Sequence, residues 1–229
     1  MKRRKISEKT VAKHWNRNAP VWAQLVRKGE DAYREHFNNP AFLKFIGSLR
    51  GKTVLDAGCG EGYNTRILAR AGATMTGVDI SRRMIALARA EEKRRPLGIR
   101  YFRDSFTDLS RFDDASFDDA VSFMAMMDSP DFASGAREVF RVLRPGGSFI
   151  FSILHPCFMT PGLGWVRDEK GECVKLTIAN YFDPTHLVER WTFGKGQVPK
   201  DAPPFEAYGF DEHAGTWESP EPAARRTRR

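Results

Sequence analysis

The stretch Val54-Leu55-Asp56-Ala57-Gly58-Cys59-Gly60-Glu61-Gly62 constrains this chain more than any other. An apolar run ends in an acid, three glycines alternate with other residues, and a helical pattern follows at once. A strand that turns sharply into a helix around a ligand needs such glycines. They adopt positive φ and bring backbone close to the ligand with no Cβ in the way. The acid before them narrows the ligand. A phosphate cradled at a helix N-terminus is repelled by a neighbouring carboxylate, whereas a cation or a hydroxyl is held by it. The loop therefore suggests a nucleotide-like ligand gripped by something other than its phosphates.

The pattern around this loop alternates regularly. Residues 7–27 read as a helix capped by Ser7, with Pro20 expected to break or restart it. A second helix is expected from about Glu30 to Leu49, and strands at 53–56, 74–79, 99–103, 118–123 and 148–154. Helices at 62–71, 82–94 and 131–143 separate them, stopped by Gly72, by Pro96 and Gly98, and by Pro145-Gly146-Gly147. Short apolar strands between amphipathic helices specify an α/β fold, a doubly wound and mostly parallel sheet. From His155 the character changes. Residues 165–178 read as a β-hairpin turning at Lys170-Gly171, and the last twenty residues read as disordered.

In a doubly wound sheet, ligands bind beyond the carboxyl ends of the strands. Asp56 and the glycines lie there, and so does Asp79, 17 residues after Gly62. A carboxylate at that place accepts hydrogen bonds from both ribose hydroxyls of an adenosine. NAD and S-adenosylmethionine sites both use such an acid, so Asp79 alone leaves the two open.

The net charge of +8 invites a nucleic-acid reading until it is located. Lys2, Arg3, Arg4 and Lys5 at one end and Arg225, Arg226, Arg228 and Arg229 at the other account for all of it. The body between is formally neutral, so nucleic acid is not expected as a partner. Three scattered cysteines, Cys59, Cys157 and Cys173, fit neither a disulfide framework nor a metal site. No apolar run is long enough to span a bilayer, and a cytoplasmic location is expected.

Over about residues 10–158 the chain resembles the class I S-adenosylmethionine-dependent methyltransferases. The likeness rests on four ordered blocks: Asp56-x-Gly58-x-Gly60-x-Gly62, Gly77-Val78-Asp79, Ser116-Phe117-Asp118 and Arg141-Val142-Leu143-Arg144-Pro145-Gly146-Gly147. The resemblance implies S-adenosyl-L-methionine as cofactor and roles for particular residues. Asp56 and the backbone at Gly58 and Gly60 face the methionine part, Asp79 holds the ribose, and Ile80 lies against the adenine. Many relatives carry an acid followed by a small apolar residue near the third strand, where this chain has Ser105 and Phe106. A register shift of one gives the acidic role to Asp104. The Met124 carbonyl meets the cofactor's amino group. The N-terminal helices close over the site with Trp15, Trp22, Tyr33 and Arg34, the last pairing with the methionine carboxylate. His155, at the end of the fifth strand, is the candidate base where the acceptor must lose a proton.

The Asn/Asp-Pro-Pro-aromatic block of amide- and adenine-methylating relatives is absent; Phe123-Met124-Ala125-Met126-Met127-Asp128 stands there. A small-molecule acceptor is therefore expected. The expected organisation is a helical cap over 1–50, a cofactor-binding core over 51–158, a hairpin insertion or acceptor lid over 159–200 and a tail over 201–229. The helix and hairpin that complete the sheet in that family are expected to be missing. Self-association through an exposed fifth strand, or impaired activity, is the expected consequence.

Overall fold

A computed structural model describes residues 7–155, 157, 160, 163–181, 188–190 and 206–208. The apolar runs become strands β1 (Thr53–Ala57), β2 (Thr74–Val78), β3 (Arg100–Phe102), β4 (Phe117–Phe123) and β5 (Leu143–Ser152). They pair in parallel in the order β3-β2-β1-β4-β5. Helices α3 (Tyr63–Arg70), α4 (Arg82–Arg94) and α5 (Phe132–Val142) make the crossovers, preceded by α1 (Glu8–Arg27) and α2 (Asn39–Ile46). The strands β1, β2 and β4 are buried on both sides. Val54 packs into a cluster with Phe42, Leu68, Met75 and Ile85, while its neighbour Leu55 packs into another with Val78, Phe117 and Val139. Successive strand residues point to opposite faces, so this division is what a doubly covered strand requires. The strand order reverses between β1 and β4, which opens a crevice above their carboxyl ends.

Two expectations about the N-terminal helices are corrected. Pro20 does not interrupt α1, which runs unbroken past it. The ring lies on the exposed side, while Ala19, Ala23 and Val26 bury the opposite face. That packing outweighs one lost backbone hydrogen bond. The second helix is not a regular α-helix over its length. Arg34–Asn38 form a π-helical turn, and the Asn39 N–H bonds to the Arg34 carbonyl five residues back. Pro40 follows directly, and its missing N–H favours rearrangement at this point.

The helix α5 also ends earlier than Pro145-Gly146-Gly147. Leu143 is already extended and pairs with Phe117, and the ladder resumes from Asp119 against Ser148. The residues between bulge out of register. Gly147 is obligatory there, because a Cβ would sit 2.5 Å from the Asp118 carbonyl oxygen. The hairpin is present as expected: β6 (Gly164–Arg167) pairs antiparallel with β7 (Cys173–Thr177), and Gly171 turns with φ +80°. A further antiparallel pair, β8 (Val188–Arg190) and β9 (Glu206–Tyr208), was not anticipated. The rest of the expected tail, 201–205 and 209–229, lies outside the described residues. Among the described residues no helix is long and apolar enough to cross a membrane, and β5 pairs with β4 alone.

Candidate functional site

A cavity of about 740 Å³ occupies the crevice above β1 and β4, within the roughly 300–1,000 Å³ typical of sites that enclose a small ligand. Its floor is the glycine loop. The N–H groups of Gly58 and Cys59 both donate to the Val78 carbonyl at 2.9 Å, which folds the loop back over β2. Gly58 has φ +82°, and a Cβ there would meet the Ala125 Cβ at 2.4 Å. Glycine is thus dictated twice, by conformation and by the approach of the segment after β4. The Gly60 N–H donates to Asp79 Oδ2 at 2.9 Å, and the Ser81 N–H to Asp79 Oδ1 at 2.8 Å. The two acids singled out in the sequence therefore stand beside one loop, with Ile80 in the same wall.

Asp56 is almost fully buried. Its Oδ2 accepts from the Thr65 hydroxyl at 2.6 Å, and its Oδ1 is buried without a partner. Burial pushes its pKa up to about 7, against the pull of the Thr65 hydrogen bond and with a smaller push from Asp79. Burial also raises Asp79 to about 6, opposed by the Ser81 and Gly60 N–H groups. Six acids line the cavity, namely Glu8, Asp31, Asp56, Glu61, Asp79 and Asp128, against one cation among its described residues, Arg34. An orphaned carboxylate oxygen in such surroundings fits a positively charged ligand and disfavours a pyrophosphate.

At the other end, Ser105 and Phe106 line the cavity and Asp104 does not. Asp104 is turned away into an ion pair with Arg111 at 2.5 Å. The Ser105 hydroxyl donates to Glu8 Oε1 of α1 at 2.6 Å, and the Thr107 hydroxyl donates to the same oxygen. Met124 also lines the cavity and holds φ +53°, unusual for a residue with a side chain. Its N–H donates to the Ser152 carbonyl at 3.0 Å.

The cap supplies Trp15, Trp22, Tyr33 and Arg34, all of which line the cavity. Trp15 and Trp22 meet edge to face at 5.5 Å. The Arg34 guanidinium lies over the Trp22 ring at 5.1 Å, and its Nε donates to Asp31 at 3.2 Å. The Trp15 indole N–H donates to Asp128 Oδ2 at 3.0 Å. Burial raises Asp128 to about 7, the Trp15 bond opposing and the Asp79 charge adding to the shift.

His155 is not brought into this constellation. It is exposed, lies outside the cavity lining, and accepts from the Cys157 N–H at 3.2 Å through Nδ1. Four of the six lining acids, Glu8, Asp31, Glu61 and Asp128, were not among the candidate residues read from the sequence. The signal for Asp128 was present, an acid closing the unusual Met-rich block after β4. Glu8 carried no local signal, because its partners lie about a hundred residues away.

With this geometry in view, the comparisons with known proteins agree. Residues 55–151 match a family described as a methyltransferase domain. The ubiquinone biosynthesis O-methyltransferase of Alkalilimnicola ehrlichii is 34% identical over 125 residues, 52% of this chain and 50% of the relative. The enzyme of that name from Ralstonia nicotianae is 36% identical over 124 residues, 52% of each chain. The chain spans about half the length of the curated relatives it matches. Among solved structures, an S-adenosylmethionine dependent methyltransferase from Mesorhizobium loti superposes with a TM-score of 0.57 at 34% identity, covering 64% of this chain and 66% of the other. By its block order, its sheet and these likenesses, the segment at residues 55–151 is a methyltransferase domain of the class I S-adenosylmethionine-dependent type.

Proposed function

We propose that this protein transfers a methyl group from S-adenosyl-L-methionine to a small-molecule acceptor. The observation that carries the reading is the orphaned Asp56 oxygen beside Asp79, above the point where strand order reverses. The bound cofactor supplies an electrophilic methyl group on a positively charged sulfur. Asp79 holds the ribose hydroxyls and Ile80 packs on the base. Asp56, the Gly58 and Gly60 backbone and the Met124 carbonyl face the amino-acid part, and Arg34 pairs with its carboxylate. Ser105 and Phe106 border the base. The rings of Trp15, Trp22, Phe42 and Phe123 enclose the cavity, excluding water and fixing the approach of the acceptor.

Asp128 replaces His155 as the candidate proton acceptor, since it lines the cavity and His155 does not. A hydroxyl-bearing acceptor fits both this group and the relatives named as O-methyltransferases. The proton leaving the acceptor is held at the Asp128 carboxylate until product departs. That carboxylate is ionised only above its raised pKa of about 7, so turnover is expected to rise with pH through that region.

Arg34→Ala is expected to weaken binding of S-adenosylhomocysteine by about tenfold while leaving the melting temperature within about 2 °C. Unchanged affinity in a calorimetric titration would remove Arg34 from the cofactor site. The cytoplasmic setting and self-association along β5, which pairs with β4 alone among the described residues, belong to the same proposal. A monodisperse monomer at high concentration would exclude that association. The function itself is tested by incubating the full chain with methyl-labelled cofactor and a panel of phenols, catechols and small metabolites. Label is expected in at least one hydroxylated compound, and cofactor binding with no transfer to any of them would favour a non-enzymatic relative.

A further inference from the structure

The contact between α1 and the loop after β3 has no structural necessity that the sequence reveals. Glu8 stands in the first turn of α1 and lines the cavity. Its Oε1 receives two hydroxyl hydrogens, from Ser105 and from Thr107. Ser105 also sits at hydrogen-bond distance from Thr107, and the Thr107 N–H donates back to the Ser105 oxygen at 3.1 Å. The result is a carboxylate fixed by neutral donors at the Phe106 end of the cavity. The other lining acids are committed elsewhere. Asp31 is paired with Arg34, Glu61 with Arg27 and Arg66, and Asp128 with Trp15, while Asp56 and Asp79 belong to the glycine loop.

A purine base bearing an exocyclic amine presents N–H donors that need an acceptor once water is excluded. At this end Asp104 faces Arg111, and the Ser105 hydrogen is given to Glu8. The carboxylate of Glu8 is the strong acceptor that remains. We propose that Glu8 reads the amino group of the cofactor's base, so that the first turn of α1 is part of the nucleoside site. The inference rests on the cofactor reading above. Because the same helix carries Trp15 against Asp128, filling the base end seats α1 and thereby fixes the wall on the acceptor side. Binding of cofactor before acceptor is the expected order.

The test compares two nucleosides on the full-length protein by calorimetry. S-adenosylhomocysteine offers an amine where S-inosylhomocysteine offers a carbonyl oxygen, which a carboxylate repels. The native chain is expected to prefer the adenosyl compound by about 100-fold, in line with sites built to bond a particular donor. Glu8→Ala is expected to reduce that preference to about threefold or less. Glu8→Gln, whose amide both accepts and donates, is expected to give an intermediate ratio. A purely structural role for Glu8 would weaken both ligands equally and leave the ratio unchanged, which would overturn the proposal. Absence of adenosyl binding in the native chain would overturn the cofactor reading itself and this inference with it.

Discussion

Asp56→Asn is expected to raise the stability of the ligand-free protein at pH 8 and to abolish its binding of S-adenosylhomocysteine. The two effects share one cause. Burial lifts the folded-state pKa of Asp56 from 3.8 to about 7. The folded state therefore binds a proton more tightly than the unfolded chain. Stability from this group is fully present below the unfolded value and is lost as pH rises through about 7. At pH 8 the native protein carries an ionised, half-orphaned carboxylate. An amide keeps the shape and the bond from Thr65 without the buried charge. The gain is on the order of 2–4 kcal/mol at pH 8, or a rise in Tm of roughly 4–16 °C for a chain of this size. It is expected to vanish near pH 5, where Asp56 is already protonated in the native protein. A loss of Tm at pH 8, or an equal gain at both pH values, would refute the assignment.

Glu61→Ala is expected to do the opposite and cost about 3–5 kcal/mol. Glu61 and Arg66 are both almost fully buried. The Arg66 guanidinium donates to both carboxylate oxygens, at 2.9 and 3.1 Å, and to the Glu61 carbonyl at 2.7 Å. Arg27 of α1 adds two more bonds to Oε2, at 3.0 and 2.6 Å. Removing the carboxylate leaves the Arg66 charge buried with its main partner gone and releases α1 from the glycine loop. Glu61→Gln is expected to fall between the two, since it keeps acceptor geometry for one bond. Chemical denaturation measures both, and a loss below about 1 kcal/mol in Glu61→Ala would show the pair to be incidental.

Both residues lie in or beside the loop where the sequence was most legible, and the reason is physical. The apolar strands and the glycine-acid pattern are local properties, so β1, β2, Asp56 and Asp79 are readable from spacing alone. Ser81 announces the start of α4 because it caps it, accepting from the Met84 N–H at 3.2 Å. What spacing does not encode is which distant segment packs over the loop. Glu8 meets Ser105 and Trp15 meets Asp128 across about a hundred residues. Those contacts depend on how α1 lies over the finished sheet. His155 illustrates the same gap from the other side. Its place at the end of β5 suggested the cavity, yet the chain turns it outward while Leu154 faces in. Pro20 was misread because burial of α1 outweighs its local breaking tendency, whereas the π-helical turn was missed because Pro40 removes a backbone donor within the second helix.

The cofactor site is open to direct measurement. A calorimetric titration of the full-length chain with S-adenosylhomocysteine at pH 8, with NAD as the control ligand, examines it without knowledge of the acceptor. The predicted result is one site per chain with Kd below about 100 μM, or roughly −5.5 kcal/mol, and no heat from NAD. Silence with S-adenosylhomocysteine, or binding of NAD in its place, would contradict it.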